Sequence, residues 1–87
     1  MEHQESRLAM LAVVVENADS VETLNGVVHG FASYIIGRFG LPCRERGVSL
    51  ISLAIDAPTS VISALSGKLG MIPGVSAKAV YAKTGEK

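Results

Sequence analysis

Apolar residues run from Leu8 to Val15 without a break, so this segment predicts a strand covered on both faces. A short polar loop, Glu16-Asn17-Ala18-Asp19-Ser20, follows it. Asp19 and Glu22 then have the spacing of a capping box at the start of a helix. Leu24, Val27, Val28, Phe31 and Ile35 recur at helical spacing, which predicts one apolar stripe on a helix ending near Arg38 or Phe39. Gly40 and Pro42 supply the stop. Leu41 to Arg46 is expected to be a short edge strand, the position that tolerates Pro42, and Gly47 the turn that ends it. From Val48 to Asp56 the residues alternate, with Ile51, Leu53 and Ile55 on one face and Leu50, Ser52 and Ala54 on the other. A second helix is expected to open with Thr59 as N-cap, to bury Val61, Ile62, Leu65, Leu69 and Ile72, and to close on Gly70. Pro73-Gly74 turns the chain into a last strand, Val75 to Lys83. Residues 1–6 are polar, and Thr84 to Lys87 form a tail.

The element order β-α-β-β-α-β, with right-handed crossovers, predicts an α+β ferredoxin-like sandwich. Both helices lie on one face of an antiparallel sheet of order 4-1-3-2, within a single domain spanning residues 1–87 and a core of about 7–83. That order makes the first and third strands central. It leaves Arg44, Glu45 and Arg46 on one edge strand, and Lys78 and Lys83 on the other. Two helices cover one face of a small sheet. Ala9, Leu11, Val13 and Val15 are therefore assigned to the helices. Met10, Ala12, Val14, Leu50, Ser52 and Ala54 are assigned to a second copy of the chain. The expected assembly is a homo-oligomer, a dimer or tetramer.

Composition sharpens this picture in three ways. Two Phe, two Tyr and no Trp leave the core to Val, Ile, Leu and Ala. Eight basic residues balance eight acidic ones, so there is no general electrostatic pull toward nucleic acid, and neutrality favours self-association. A lone Cys43, an acidic start (Glu2, Glu5) and no apolar run near the ~20 residues of a membrane span make a cytoplasmic location the expectation.

Candidate chemistry is sparse. Asn17, Asp19 and Ser20 precede the first helix, where its positive end offers a seat for a small polar effector, although the Asp19 carboxylate competes with an anion there. His29 lies on the flank of that helix and is a further candidate ligand residue, with a plain surface histidine as its competing reading. Cys43 is expected to be a packed edge residue. Gly26, Gly30, Ser33 and Gly37 recur along the back of the expected helix. Such a stripe either admits close approach of another subunit or marks a weak helix held by tertiary packing. Ser66-Gly67-Lys68-Leu69-Gly70 has the wrong placement for a phosphate loop and suits a helix end. No residue set predicts a metal site, a cofactor or catalysis.

Four strings sit in this frame: Val14-Val15-Glu16; Val28-His29 with Phe31; Arg38-Phe39-Gly40-Leu41-Pro42; and Ala64-Leu65-Ser66-Gly67-Lys68-Leu69-Gly70. Their order and spacing, from about Arg7 to Lys83, resemble the iron-only hydrogenase system regulator family of short ferredoxin-like domains. The resemblance extends to ACT domains and to the effector domain of nickel-responsive repressors, and implies a sensing module that pairs sheets and binds small effectors between subunits. Where amino-acid-binding ACT domains usually carry a glycine, this chain has Asn17-Ala18-Asp19-Ser20. Against the several histidines and the cysteine of a nickel site it offers only His3, His29 and Cys43.

The expectation is a non-catalytic, self-associating regulatory domain that acts through an effector or partner at subunit interfaces. It is not expected to bind nucleic acid directly, because no helix-turn-helix pattern or basic stripe is present. The alternatives are a purely structural assembly subunit and a small enzyme sited at an interface.

Overall fold

The computed structural model describes residues 5–83; His3 and the Thr84 to Lys87 tail lie outside the described residues. Strands β1 (Ser6–Val15), β2 (Ile35–Cys43), β3 (Val48–Pro58) and β4 (Val75–Tyr81) form one antiparallel sheet of order β2-β3-β1-β4. Helices α1 (Val21–Gly30) and α2 (Thr59–Gly70) cover one face, which makes the fold ferredoxin-like, with the strand order expected from the sequence. The two apolar strands are central because only they gain hydrogen-bonded neighbours on both sides: β1 pairs with β3 from Ser6↔Pro58 to Val15↔Ser49, and with β4 from Ala9↔Tyr81 to Val15↔Val75.

Alternation sets the core. Leu11, Val13, Val15, Leu53 and Ile55 point to the helices, where Leu24 and Val28 of α1 and Ile62, Leu65 and Leu69 of α2 meet them. Leu11, Leu53, Ile62 and Leu69 are 0% exposed. Burying one such side chain contributes about 1.5–3 kcal/mol. Val27, Phe31, Ile35 and Val61 pack around this centre partly buried.

The first helix is shorter than its periodicity suggests. α1 stops at Gly30, a 3₁₀ turn spans Ala32–Tyr34, and β2 has begun by Ile35. Ile35 and Ile36 are β-branched, and Gly37 and Gly40 are poor helix formers, so this stretch gains more by pairing with β3 than by extending α1. Ile35 keeps its inward role, but from the strand, opposite Ile55. The edge strand is accordingly longer than expected and earlier. Arg44, Glu45 and Arg46 leave it to form a 3₁₀ turn closed by Gly47 at φ 68°.

The caps also differ. The first helix grows out of a 3₁₀ turn, Ala18–Ser20, capped by Asn17, whose Oδ1 accepts from the Asp19 N–H at 3.0 Å; the Asp19–Glu22 box does not form. Thr59 is the first residue of α2 rather than its cap, a place taken by Pro58 with extended backbone and no side-chain bond. Gly70 ends α2 without a left-handed turn. The Met71 and Ile72 amides bond back to Lys68 and Leu69, and the left-handed glycine comes later, at Gly74 with φ 74°.

Candidate functional site

The sheet face away from the helices is bare in the single chain, and strand register writes its pattern in rows. Gly37, Ala54, Met10 and Val80 lie side by side in one row. Phe39, Ser52, Ala12 and Lys78 make the next, and Leu41, Leu50, Val14 and Ser76 the third. Side chains paired across antiparallel strands share a face, so every residue of a row points the same way. Among the described residues, all the exposed large apolar side chains except Met71 stand here: Leu8, Met10, Ile36, Phe39, Leu41, Leu50 and Val80. Ile36, Phe39 and Val80 are each more than 60% exposed. Asp56 beside Leu8 and Lys78 on the edge strand hold charge to the margins. At one end, an open recess of about 350 Å³ is lined by Met10, Ile36, Ala54, Val80 and Tyr81. On the opposite, helix-side face of the same end, the Arg7 guanidinium lies over the Tyr81 ring, 4.7 Å from its centre.

Met10, Ala12, Val14, Leu50, Ser52 and Ala54, expected on one face, are brought together there as three cross-strand pairs. Ile36, Phe39, Leu41 and Val80 were not foreseen in that set. The signal was available in part: Gly37, Phe39 and Leu41 alternate with Arg38 and Gly40. The extended helix concealed it, because the bulge between Ile35 and Gly37 shifts the phase just where the strand begins.

The candidate effector residues are placed apart. Asn17 is occupied in its cap, and Ser20 is buried, its hydroxyl donating to the Pro73 carbonyl at 2.6 Å. The Glu16 N–H donates to the Gly74 carbonyl at 2.7 Å, so the loop is tied down onto the turn before β4. Asp19 is exposed beside it. His29 stands near the other end of α1, on its exposed side. Cys43 ends β2, half-buried opposite Val48.

The glycine stripe does not survive the change of element. Gly26 and Gly30 lie on α1, but Ser33 is in the 3₁₀ turn and Gly37 in β2, where its neighbour is Ala54 on the sheet face. A Cβ at Gly26 or Gly30 would meet nothing within 4 Å, so neither marks a close approach within the chain. Among the described residues, no three His, Cys, Asp or Glu side chains gather as metal ligands, and no helix is long and apolar enough to cross a membrane.

Residues 7–79 match a family model, TM1266-like, described as "Iron-only hydrogenase system regulator, putative". The chain is similar in structure to the uncharacterized protein TM1266 from Thermotoga maritima. The TM-score is 0.87 and the identity 38%, over 91% of this chain and 100% of that one. It is also similar to the C-terminal domain of the MgtC protein from Mycobacterium tuberculosis. There the TM-score is 0.70 over 99% of this chain and 98% of the other, but at 11% identity the likeness is one of fold alone. No curated protein matches the chain.

Proposed function

The chain belongs to the TM1266-like family of iron-only hydrogenase system regulators, and from that premise we propose a non-catalytic regulatory domain that works as an assembly of its own copies, paired through the open sheet face. The observation that carries this is the composition of that face: a contiguous apolar surface over β2, β3 and β1 that reaches β4 at Val80, with its charges at the rim. Four strands about 4.8 Å apart, the longest of 11 residues, make a face on the order of 600 Å² in plan. The apolar part of that face is comparable with the largest apolar patch of an ordinary monomer, roughly 300–600 Å². It also reaches the contribution of each partner to a stable interface, about 600–1,000 Å². Zero net charge lets like copies approach without mutual repulsion. Regulation then proceeds by an effector or partner that favours one state of the assembly, since only differential affinity shifts such an equilibrium.

Val14 supplies the test. It sits mid-face between Leu50 and Ser76, half-buried, on a strand whose opposite side is fully packed. Val14→Glu puts a carboxylate where the second copy would exclude water, at a cost of several kcal/mol per copy. The expected result is a folded monomer by far-UV circular dichroism and light scattering. An oligomer of unchanged size would overturn the proposed pairing.

A second reading, a structural assembly subunit without an effector, is favoured by one observation: the Asn17 Oδ1 and the Ser20 hydroxyl proton are engaged within the chain. A thermal-shift screen of metals, amino acids and nucleotides separates the two. A shift with one class supports the sensor, and a flat response across all of them the scaffold.

A further inference from the structure

On the helix side of the molecule, away from the open face, an open recess of about 350 Å³ lies between α1 and the edge strand β2. Its floor and walls are Val28, Ala32 and Ile35; its polar groups are Asn25, His29 and Arg38. Arg38 is opposite the fully buried Leu53, which places it on the helix side of β2, and its Nη2 donates to Asn25 Oδ1 at 2.8 Å. A guanidinium can only donate, so the amide must present its oxygen to it and keep its NH₂ group as a donor. The arginine is therefore held in place by a neutral group. Among the described residues no carboxylate stands within ion-pair distance of it, so its charge is positioned but not neutralised.

We propose that this recess binds a small aliphatic carboxylate, with the carboxylate on the Arg38 guanidinium and the Asn25 NH₂ group, and a short hydrocarbon chain over Val28, Ala32 and Ile35. Guanidinium and carboxylate match as parallel donors and acceptors, and a fixed guanidinium loses less freedom on binding than a free one. The apolar floor selects against inorganic anions, which have nothing to lay upon it. His29, four residues from Asn25 on the same side of α1, offers a ring nitrogen at the margin. The recess is lined by one chain only, so this proposal does not depend on pairing of the sheet face.

The test is a ¹⁵N-resolved NMR titration of the full chain with butyrate, acetate and inorganic phosphate. Butyrate is expected to move the amides of residues 25–38. Each methylene that reaches the floor adds about fourfold in affinity, so butyrate, with two more than acetate, should bind about fifteenfold tighter. Phosphate should bind no better than acetate. Asn25→Asp keeps the tie to Arg38 but neutralises it. That variant should retain the wild-type fold and bind butyrate at least tenfold more weakly, as should Arg38→Gln. Equal responses to all three anions would reveal only an exposed cation. Those responses, no response at residues 25–38, or undiminished binding in the folded Asn25→Asp protein, would each overturn the proposal. The same titration of the Val14→Glu protein gives the same answer whether or not the copies pair, so the two proposals fail separately.

Discussion

Gly74 has φ 74°, and a Cβ built on it would lie 2.7 Å from the Cβ of Asn17. Both facts require glycine, because a side chain there meets a strained backbone and the loop that the Glu16 and Ser20 hydrogen bonds hold against the turn. Gly74→Ala is expected to cost about 2 kcal/mol or more, a fall in Tm of roughly 10 °C for a domain of this size. Gly26 makes the opposite case: it sits inside α1 with nothing within 4 Å of a built Cβ. Gly26→Ala should therefore add about 1 kcal/mol of stability. Its oligomer size should not change at the same protein concentration. A stabilised protein of altered size would point to another copy packing against α1 at Gly26. Thermal melts with light scattering on both variants read these outcomes side by side.

At the scale of elements, β1, β3 and α2 were legible because one pattern dominates each. Val48 to Asp56 alternates strictly, and Ile62, Leu65 and Leu69 keep helical spacing. The stretch from Phe31 to Cys43 was not, because two periods overlap in it. Val28, Phe31 and Ile35 are spaced for a helix, and all three do face the core, but Ile35 reaches it from a strand. Tertiary pairing with β3 decided between the readings, and its local trace, the β-branched Ile35 and Ile36 and the alternation of Gly37, Phe39 and Leu41, is masked by the helical spacing before it. The same misplacement hid the β2 part of the candidate face, since the helical spacing puts Phe39 at a helix end and Leu41 on a short edge. A comparison of two exposed apolar residues tests the corrected assignment. Phe39→Lys, on the face, should leave the fold intact and weaken association by about tenfold or more, the loss expected when a buried aromatic becomes a charge. Met71→Lys, 84% exposed after α2, should leave association unchanged. Equal effects of the two substitutions in sedimentation velocity would mean that β2 does not contribute to the contact.

For the whole molecule, the division of labour in β1 is the ground for the proposed assembly. One side of the strand closes a core with two helices; the other, with β2, β3 and β4, presents more apolar surface than a single copy has means to cover. The fold and the family were accessible from sequence, because topology follows from element order and the strings lie in that order. The candidate binding recess was not, since it depends on residues apart in the chain, Asn25 and Arg38, meeting through the fold. The central claim is that the open face is covered by a second copy, and sedimentation equilibrium of the wild-type chain across the micromolar range tests it most directly. The mass should be at least twice that of one chain and hold down to low micromolar concentration. A single-chain mass throughout, from a protein that still unfolds cooperatively, would contradict it.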